Sequence, residues 1–93
     1  MTLKEDQIKY KIKIDKIALK FLENLDDFKY NNIIEEIFKL EHEPRPVGCV
    51  KLNTKSGYRI KWSKYRILFT IDDLNKTIII YKIGHRKDVY KTK

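Results

Sequence analysis

From Ile8 to Ile14 the apolar residues Ile8, Tyr10, Ile12 and Ile14 alternate with Lys9, Lys11 and Lys13. A period of two predicts a half-buried strand, and lysines along one side suit a sheet edge, where they discourage pairing with another chain. Asp15 follows as a helix N-cap, and Ala18, Leu19, Phe21, Leu22 and Leu25 then recur at helical spacing. Asp26-Asp27 interrupts, and Phe28, Ile33, Ile34, Ile37, Phe38 and Leu40 mark the apolar face of a second helix. Two amphipathic helices on a short link predict an antiparallel pair. Pro44 and Pro46 end the helical region, Gly48 extends the break, and Leu52 anchors a short extended piece before a loop at Asn53–Gly57.

The period of two then returns. Tyr58–Trp62 and Tyr65–Ile71 read as an antiparallel hairpin across a two-residue turn, Ser63-Lys64. In that register Trp62 opposes Tyr65, Ile60 opposes Ile67 and Tyr58 opposes Phe69, giving one apolar face turned toward the helices. Lys61 opposes Arg66 on the other face, with Arg59 two residues along. Like charges directly opposite are destabilising in a sheet, so this arrangement calls for a counter-anion such as phosphate. Asp72-Asp73-Leu74-Asn75 is a turn, Thr77–Ile83 a last β-branched strand ended by Gly84, and Tyr90 lies in the tail. The predicted fold is α+β in the order β-α-α-β-β-β. It places two N-terminal helices on one face of a small, mostly antiparallel sheet, in a single domain over residues 1–93.

Charge sharpens this picture. Residues 1–46 carry nine Lys or Arg against ten Asp or Glu, a net of −1, whereas residues 47–93 carry twelve against three, a net of +9. One neutral and one strongly basic half predict a one-sided positive field suited to a polyanion. Cys49 is the sole cysteine, so no internal disulfide can form, and with only His42 and His85 beside it no four-ligand metal spacing arises. Cys49 reads as a small filler rather than a nucleophile. Neither a long apolar run nor a signal-like start is present, which leads to the expectation of a cytoplasmic protein with no membrane partner and no cofactor.

The chain resembles the RelE/ParE superfamily of toxins from type II toxin–antitoxin pairs, and within it the RelE branch. The residues that carry the likeness are Ala18-Leu19-Lys20-Phe21-Leu22, Pro44 and Pro46 before Leu52, Ser56-Gly57-Tyr58-Arg59-Ile60, Tyr65-Arg66-Ile67-Leu68-Phe69 and Ile83-Gly84-His85-Arg86-Lys87-Asp88-Val89-Tyr90. The resemblance implies an mRNA endonuclease that works in the ribosomal A site without a metal. The ribose 2′-OH attacks the adjacent phosphodiester, leaving a 2′,3′-cyclic phosphate and a 5′-OH. By position, Arg59, Lys61, Arg66 and Arg86 match the family's cations and Tyr90 its tail tyrosine. His85 has an equivalent in some branches. Ser63-Lys64 departs from a common Gly-Asp, and Arg59 stands where some members have lysine. A cognate antitoxin, the ribosome and mRNA are the implied partners, with the toxin–antitoxin complex a higher-order hetero-oligomer. ParE-like relatives that inhibit DNA gyrase, and a non-catalytic RNA-binding homologue, are the competing identities.

The residues suit that chemistry. Cleavage by 2′-OH attack needs a base for the hydroxyl, stabilisation of a phosphorane and protonation of the leaving 5′-oxygen. Electrostatic stabilisation is usually the largest of these contributions, and Arg59, Lys61 and Arg66 can supply it, arginine gripping phosphate oxygens in pairs. Tyr90 is the favoured base, since neighbouring cations can favour a phenolate; the proton donor is sought among Arg86, Lys61 and His85. Lys55, Lys64 and Lys87 are expected to hold the RNA or ribosome backbone, because phosphate contacts orient without reading sequence.

Overall fold

The alternating start of the chain forms strand β1 (Lys11–Ile14), and the two periodic stretches form helices α1 (Lys16–Glu23) and α2 (Asp27–Lys39). Strands β2 (Val50–Lys51), β3 (Gly57–Trp62), β4 (Tyr65–Asp72) and β5 (Thr77–His85) complete one sheet in the order β1-β5-β4-β3-β2. Every pairing among the described residues is antiparallel except β1 with β5. This computed structural model describes residues 9–53 and 57–90, so Ile8 and Lys55 lie outside the described residues. The α+β architecture with helices on one sheet face is as expected, and β1 is an edge strand. The short extended piece near Leu52 adds a two-residue strand, β2, at the opposite edge.

Local chemistry accounts for the element ends. Asp15 occupies the N-cap position of α1 but makes no side-chain cap bond. Asp26 caps α2, its Oδ1 accepting from the Lys29 N–H at 2.9 Å, which satisfies one of the helix's orphan donors. That bond also holds the Asp26 carboxyl below its ordinary range. The aspartate pair that interrupts the first helix is therefore the start signal of the second. In the β4–β5 turn Asp72 accepts from both the backbone and the side-chain nitrogen of Asn75.

The β3–β4 register is the one the alternation predicts: Tyr58 opposes Phe69, Ile60 opposes Ile67, Lys61 opposes Arg66 and Trp62 opposes Tyr65. The core lies between this face and the helices, built from Ala18, Leu22, Ile33, Ile37, Leu40, Ile60, Ile67, Phe69, Ile78, Ile80 and Ile83. Each such large side chain contributes about 1.5–3 kcal/mol by leaving water. Trp62 packs from the same side, edge-on to Phe28 at 5.9 Å. The helices thus cover one face of the sheet and leave the face carrying Arg59, Lys61 and Arg66 uncovered by them.

Two features depart from the expected pattern. Strand β5 carries a bulge: Leu68 pairs with Lys82 but Phe69 pairs with Ile80, which leaves Tyr81 without a partner on β4. Gly84 does not end β5, which runs on to His85 with Gly84 opposite Arg66. Its open side faces the tail, where a Cβ would lie 3.5 Å from Val89 Cβ, an ordinary van der Waals contact. Val89 is buried although it belongs to the tail. No helix among the described residues is long and apolar enough to cross a membrane.

Candidate nucleic-acid face and its tail tyrosine

Residues opposed across the sheet share a face, so Arg59, Leu68 and Lys82 form one row across β3, β4 and β5, and Lys61, Arg66 and Gly84 form the next. Leu68 and Val89 are both buried, yet neither belongs to the core under the helices. Val89 rests on Gly84, so the tail crosses back over this second face.

The crossing is fixed by backbone bonds. The N–H groups of Asp88 and Val89 both donate to the His85 carbonyl, at 2.8 and 2.9 Å, closing a helical turn, and the Arg86 N–H donates to the Lys64 carbonyl at 2.7 Å. The next residue is Tyr90. Its phenol oxygen accepts a hydrogen bond from Arg59 Nη1 at 3.1 Å, while half of the residue stays exposed (50%). A cation of β3 and the tail tyrosine are thereby joined on one face.

The hairpin turn supports the same cluster. Ser63 adopts a positive φ of 56°, a conformation that costs a non-glycine residue about 1 kcal/mol. Arg66 Nη1 donates to the carbonyls of Ser63 (3.2 Å) and Tyr65 (3.1 Å), and Arg86 ties the Lys64 carbonyl, so the turn is held by two of the expected site residues. Carbonyl acceptors leave the Arg66 charge unneutralised, and its remaining donors can still face an anion. Lys61, Lys64, Arg86 and Lys87 are exposed.

His85 sits elsewhere. It opposes Tyr65 on the helix-side face, its ring edge-on to that of Tyr65 at 5.9 Å. Its Nδ1 accepts from the Lys87 N–H at 3.1 Å, and the ring borders a cleft of about 440 Å³ that includes Phe28, Trp62 and Lys64. The expected grouping of His85 with Arg59 and Tyr90 is not what the sheet produces, because residues 83 and 85 share a parity and Ile83 is core.

Three residues with structural roles near the sheet are not singled out by the sequence pattern. Tyr81 and Lys82 both belong to the cationic face through the β5 bulge. The Tyr81 hydroxyl reaches β3, where a Cβ on Gly57 would lie 3.0 Å from it. Burial and then the neighbouring Tyr90 hold the Tyr81 phenol above its ordinary titration range. The third is Arg45, which pins the loop after α2: it forms a forked pair with Asp73 at 2.9 and 3.3 Å and donates twice to the Tyr58 hydroxyl at 3.3 Å. That loop carries Cys49, half-buried, its thiol pushed up by burial.

A small α+β domain with helices on one sheet face and a cationic second face closed by a tail tyrosine is the class that fold and face define. The chain belongs to the ParE toxin family of type II toxin–antitoxin systems: residues 12–90 match the family described as ParE toxin of type II toxin-antitoxin system, parDE. It is similar to Toxin RelG of Mycobacterium tuberculosis, 34% identical over 53 residues; that stretch is 56% of this chain and 61% of the relative, so the match spans less than two thirds of the relative's length. A chain of the toxin–antitoxin complex RelBE2 from the same organism shares the fold with a TM-score of 0.76 at 25% identity, over 88% of this chain and 97% of that one. A chain of the archaeal RelE–RelB complex from Pyrococcus horikoshii gives a TM-score of 0.76 at 30% identity, over 87% of this chain and 99% of that one.

Proposed function

We propose that this chain is the toxin of a toxin–antitoxin pair and acts as a ribosome-dependent endonuclease on mRNA in the A site. The observation that carries this is the Arg59–Tyr90 hydrogen bond at 3.1 Å on a cationic sheet face. A phosphodiester laid on that face meets Arg59 and Lys61 from β3 and Arg66 from β4, with Tyr90 beside them. The cations stabilise the phosphorane, whose extra negative charge is what a fixed donor array binds better than the ground state. Tyr90 takes the 2′-OH proton, and the 2′-oxygen displaces the 5′-oxygen to give the cyclic phosphate. Lys61 returns a proton to the leaving oxygen, because a guanidinium holds its own proton too tightly to donate it. Attack from within the RNA needs no metal. Arg86 is exposed at the hairpin end and contributes charge there, with Lys64 and Lys87 orienting the backbone. On this reading His85 serves the tail turn rather than the chemistry.

The partner is an antitoxin whose contact surface is acidic, covering the basic face or displacing the tail that bears Tyr90, in a higher-order assembly. Its affinity is expected to fall as salt rises. The second reading is the ParE-like one, inhibition of DNA gyrase, and the matched family is described as ParE toxin. One experiment separates the two. Wild type, Arg86→Ala and Tyr90→Phe are incubated with purified ribosomes holding a defined A-site codon, with free mRNA, and with gyrase. Cuts within the codon that are absent from free RNA and lost in both variants support the endonuclease. Intact mRNA together with inhibited supercoiling would replace it with the gyrase reading.

A further inference from the structure

Strand β5 changes phase between Ile80 and Ile83, which are both core although three residues apart. The phase change is the bulge, and its result is chemical: it turns two consecutive side chains, Tyr81 and Lys82, onto the face that carries Arg59. Bulges are placed where a side chain has to be re-aimed, often beside active sites. Lys82 stands at the far end of the row Arg59–Leu68–Lys82. Two strand spacings put their backbones about 10 Å apart. Leu68 between them is buried, so the two cations of the row are separated by a covered apolar residue. Tyr81 lies alongside, half-buried, its hydroxyl extending to Gly57 on β3. An aromatic ring flanked by spaced cations is the arrangement that takes single-stranded RNA, the ring meeting a base and the cations the phosphates.

We infer that the β5 bulge is a subsite for the nucleotide next to the scissile phosphate: the Lys82 ammonium binds its phosphate and the Tyr81 ring carries its base. This rests on the endonuclease reading and adds residues to it. The subsite binds RNA and takes no part in proton transfer, so its loss is expected in KM rather than kcat.

The test uses the full chain and ribosomes programmed with a fluorescent mRNA whose A-site codon carries 2′-deoxy sugars, which bind but lack the attacking hydroxyl. Dissociation constants are measured across roughly 50–200 mM salt for wild type, Lys82→Met, Lys82→Arg and Tyr81→Leu, alongside cleavage of unmodified mRNA. One phosphate contact accounts for about 0.7 of the log–log salt slope on a single strand, close to a threefold share of the affinity change over that range. Lys82→Met is expected to weaken binding about threefold or more and to lower the slope by about 0.7, with kcat within about twofold. Lys82→Arg restores both, and Tyr81→Leu raises KM without changing the slope. Wild-type KM and slope in Lys82→Met, with wild type active, overturn the subsite alone, and Lys82→Met decides the matter by itself if Tyr81→Leu does not fold. Wild type that neither binds nor cuts overturns the endonuclease reading and the subsite with it.

Discussion

Arg59 and Tyr90 lie 31 residues apart in sequence and meet through a 3.1 Å hydrogen bond, the guanidinium donating to the phenol oxygen. The contact depends on a tail that has no sheet partner of its own. Val89 seated on Gly84 and three backbone bonds to His85 and Lys64 bring it back over the face. Removing the Tyr90 hydroxyl deletes the bond and the proton acceptor while keeping the ring. Tyr90→Phe is expected to lower single-turnover cleavage on ribosomes by about 10²–10⁴, the range for a general base, with thermal stability nearly unchanged because the side chain is half exposed. Cleavage within a factor of about five of wild type would assign the base to another group.

His85 makes the opposite prediction. It packs on Tyr65 on the helix side and accepts the Lys87 N–H, so it shapes the tail turn without facing the cations. His85→Ala is expected to cost about 1 kcal/mol of stability from the lost hydrogen bond and to slow cleavage less than about tenfold, well short of a general acid's share. The pH–rate profile distinguishes the roles: an unchanged profile in His85→Ala fits a structural histidine, and loss of one limb would restore it to the chemistry.

How far the sequence reaches is visible in these two residues. Strict alternation sets the β3–β4 register, and with it the shared face of Arg59, Lys61 and Arg66. Alternation also puts His85 on the side of Ile83, a position that is legible once the last strand is carried past Gly84. A glycine there reads as a stop, whereas in the fold the strand runs through it and Val89 packs against it. The bulge is signalled only by the spacing of Ile80 and Ile83, too slight a cue to place Tyr81 and Lys82 on the basic face. The Arg45–Asp73 pair spans 28 residues and has no local pattern, because it is made by folding rather than by periodicity.

Gly57 and Tyr81 are coupled by contact. An alanine at 57 would place its Cβ 3.0 Å from the Tyr81 hydroxyl and 3.3 Å from Leu52 Cδ1. Gly57→Ala is expected to cost about 1 kcal/mol, the lower end for overpacking, since a tyrosine tip can shift. The same alanine in a Tyr81→Phe background meets no hydroxyl, and most of that cost should vanish. A double-mutant cycle by urea unfolding measures the coupling. A coupling below about 0.5 kcal/mol, the level of independent sites, would mean that the phenol tip does not rest on Gly57.

Acid stability depends on the loop after α2. Asp73 accepts two bonds from Arg45 and one from the Tyr10 hydroxyl at 2.7 Å. The Arg45 hydrogen bonds, then that from Tyr10, lower its carboxyl from 3.8 to about 2. The folded pKa lies below the unfolded one, so the unfolded chain takes up the proton first as pH falls. The stability from this cluster is present above the unfolded value and is lost as pH drops from about 4 to about 2. Arg45 stays charged throughout. Asp73→Asn keeps an acceptor for Tyr10 but removes the titration, so its stability should fall less steeply over that window. Some slope remains, because Asp26 and Asp72 are also held low, chiefly by backbone N–H donors. All three carboxylates are exposed, and salt screening keeps the effect modest. Urea midpoints at about pH 6 and about pH 2.5 for both proteins bracket the window and are the check. A smaller shift in Asp73→Asn than in wild type is the expected result, and equal shifts would remove Asp73 as a source of acid lability.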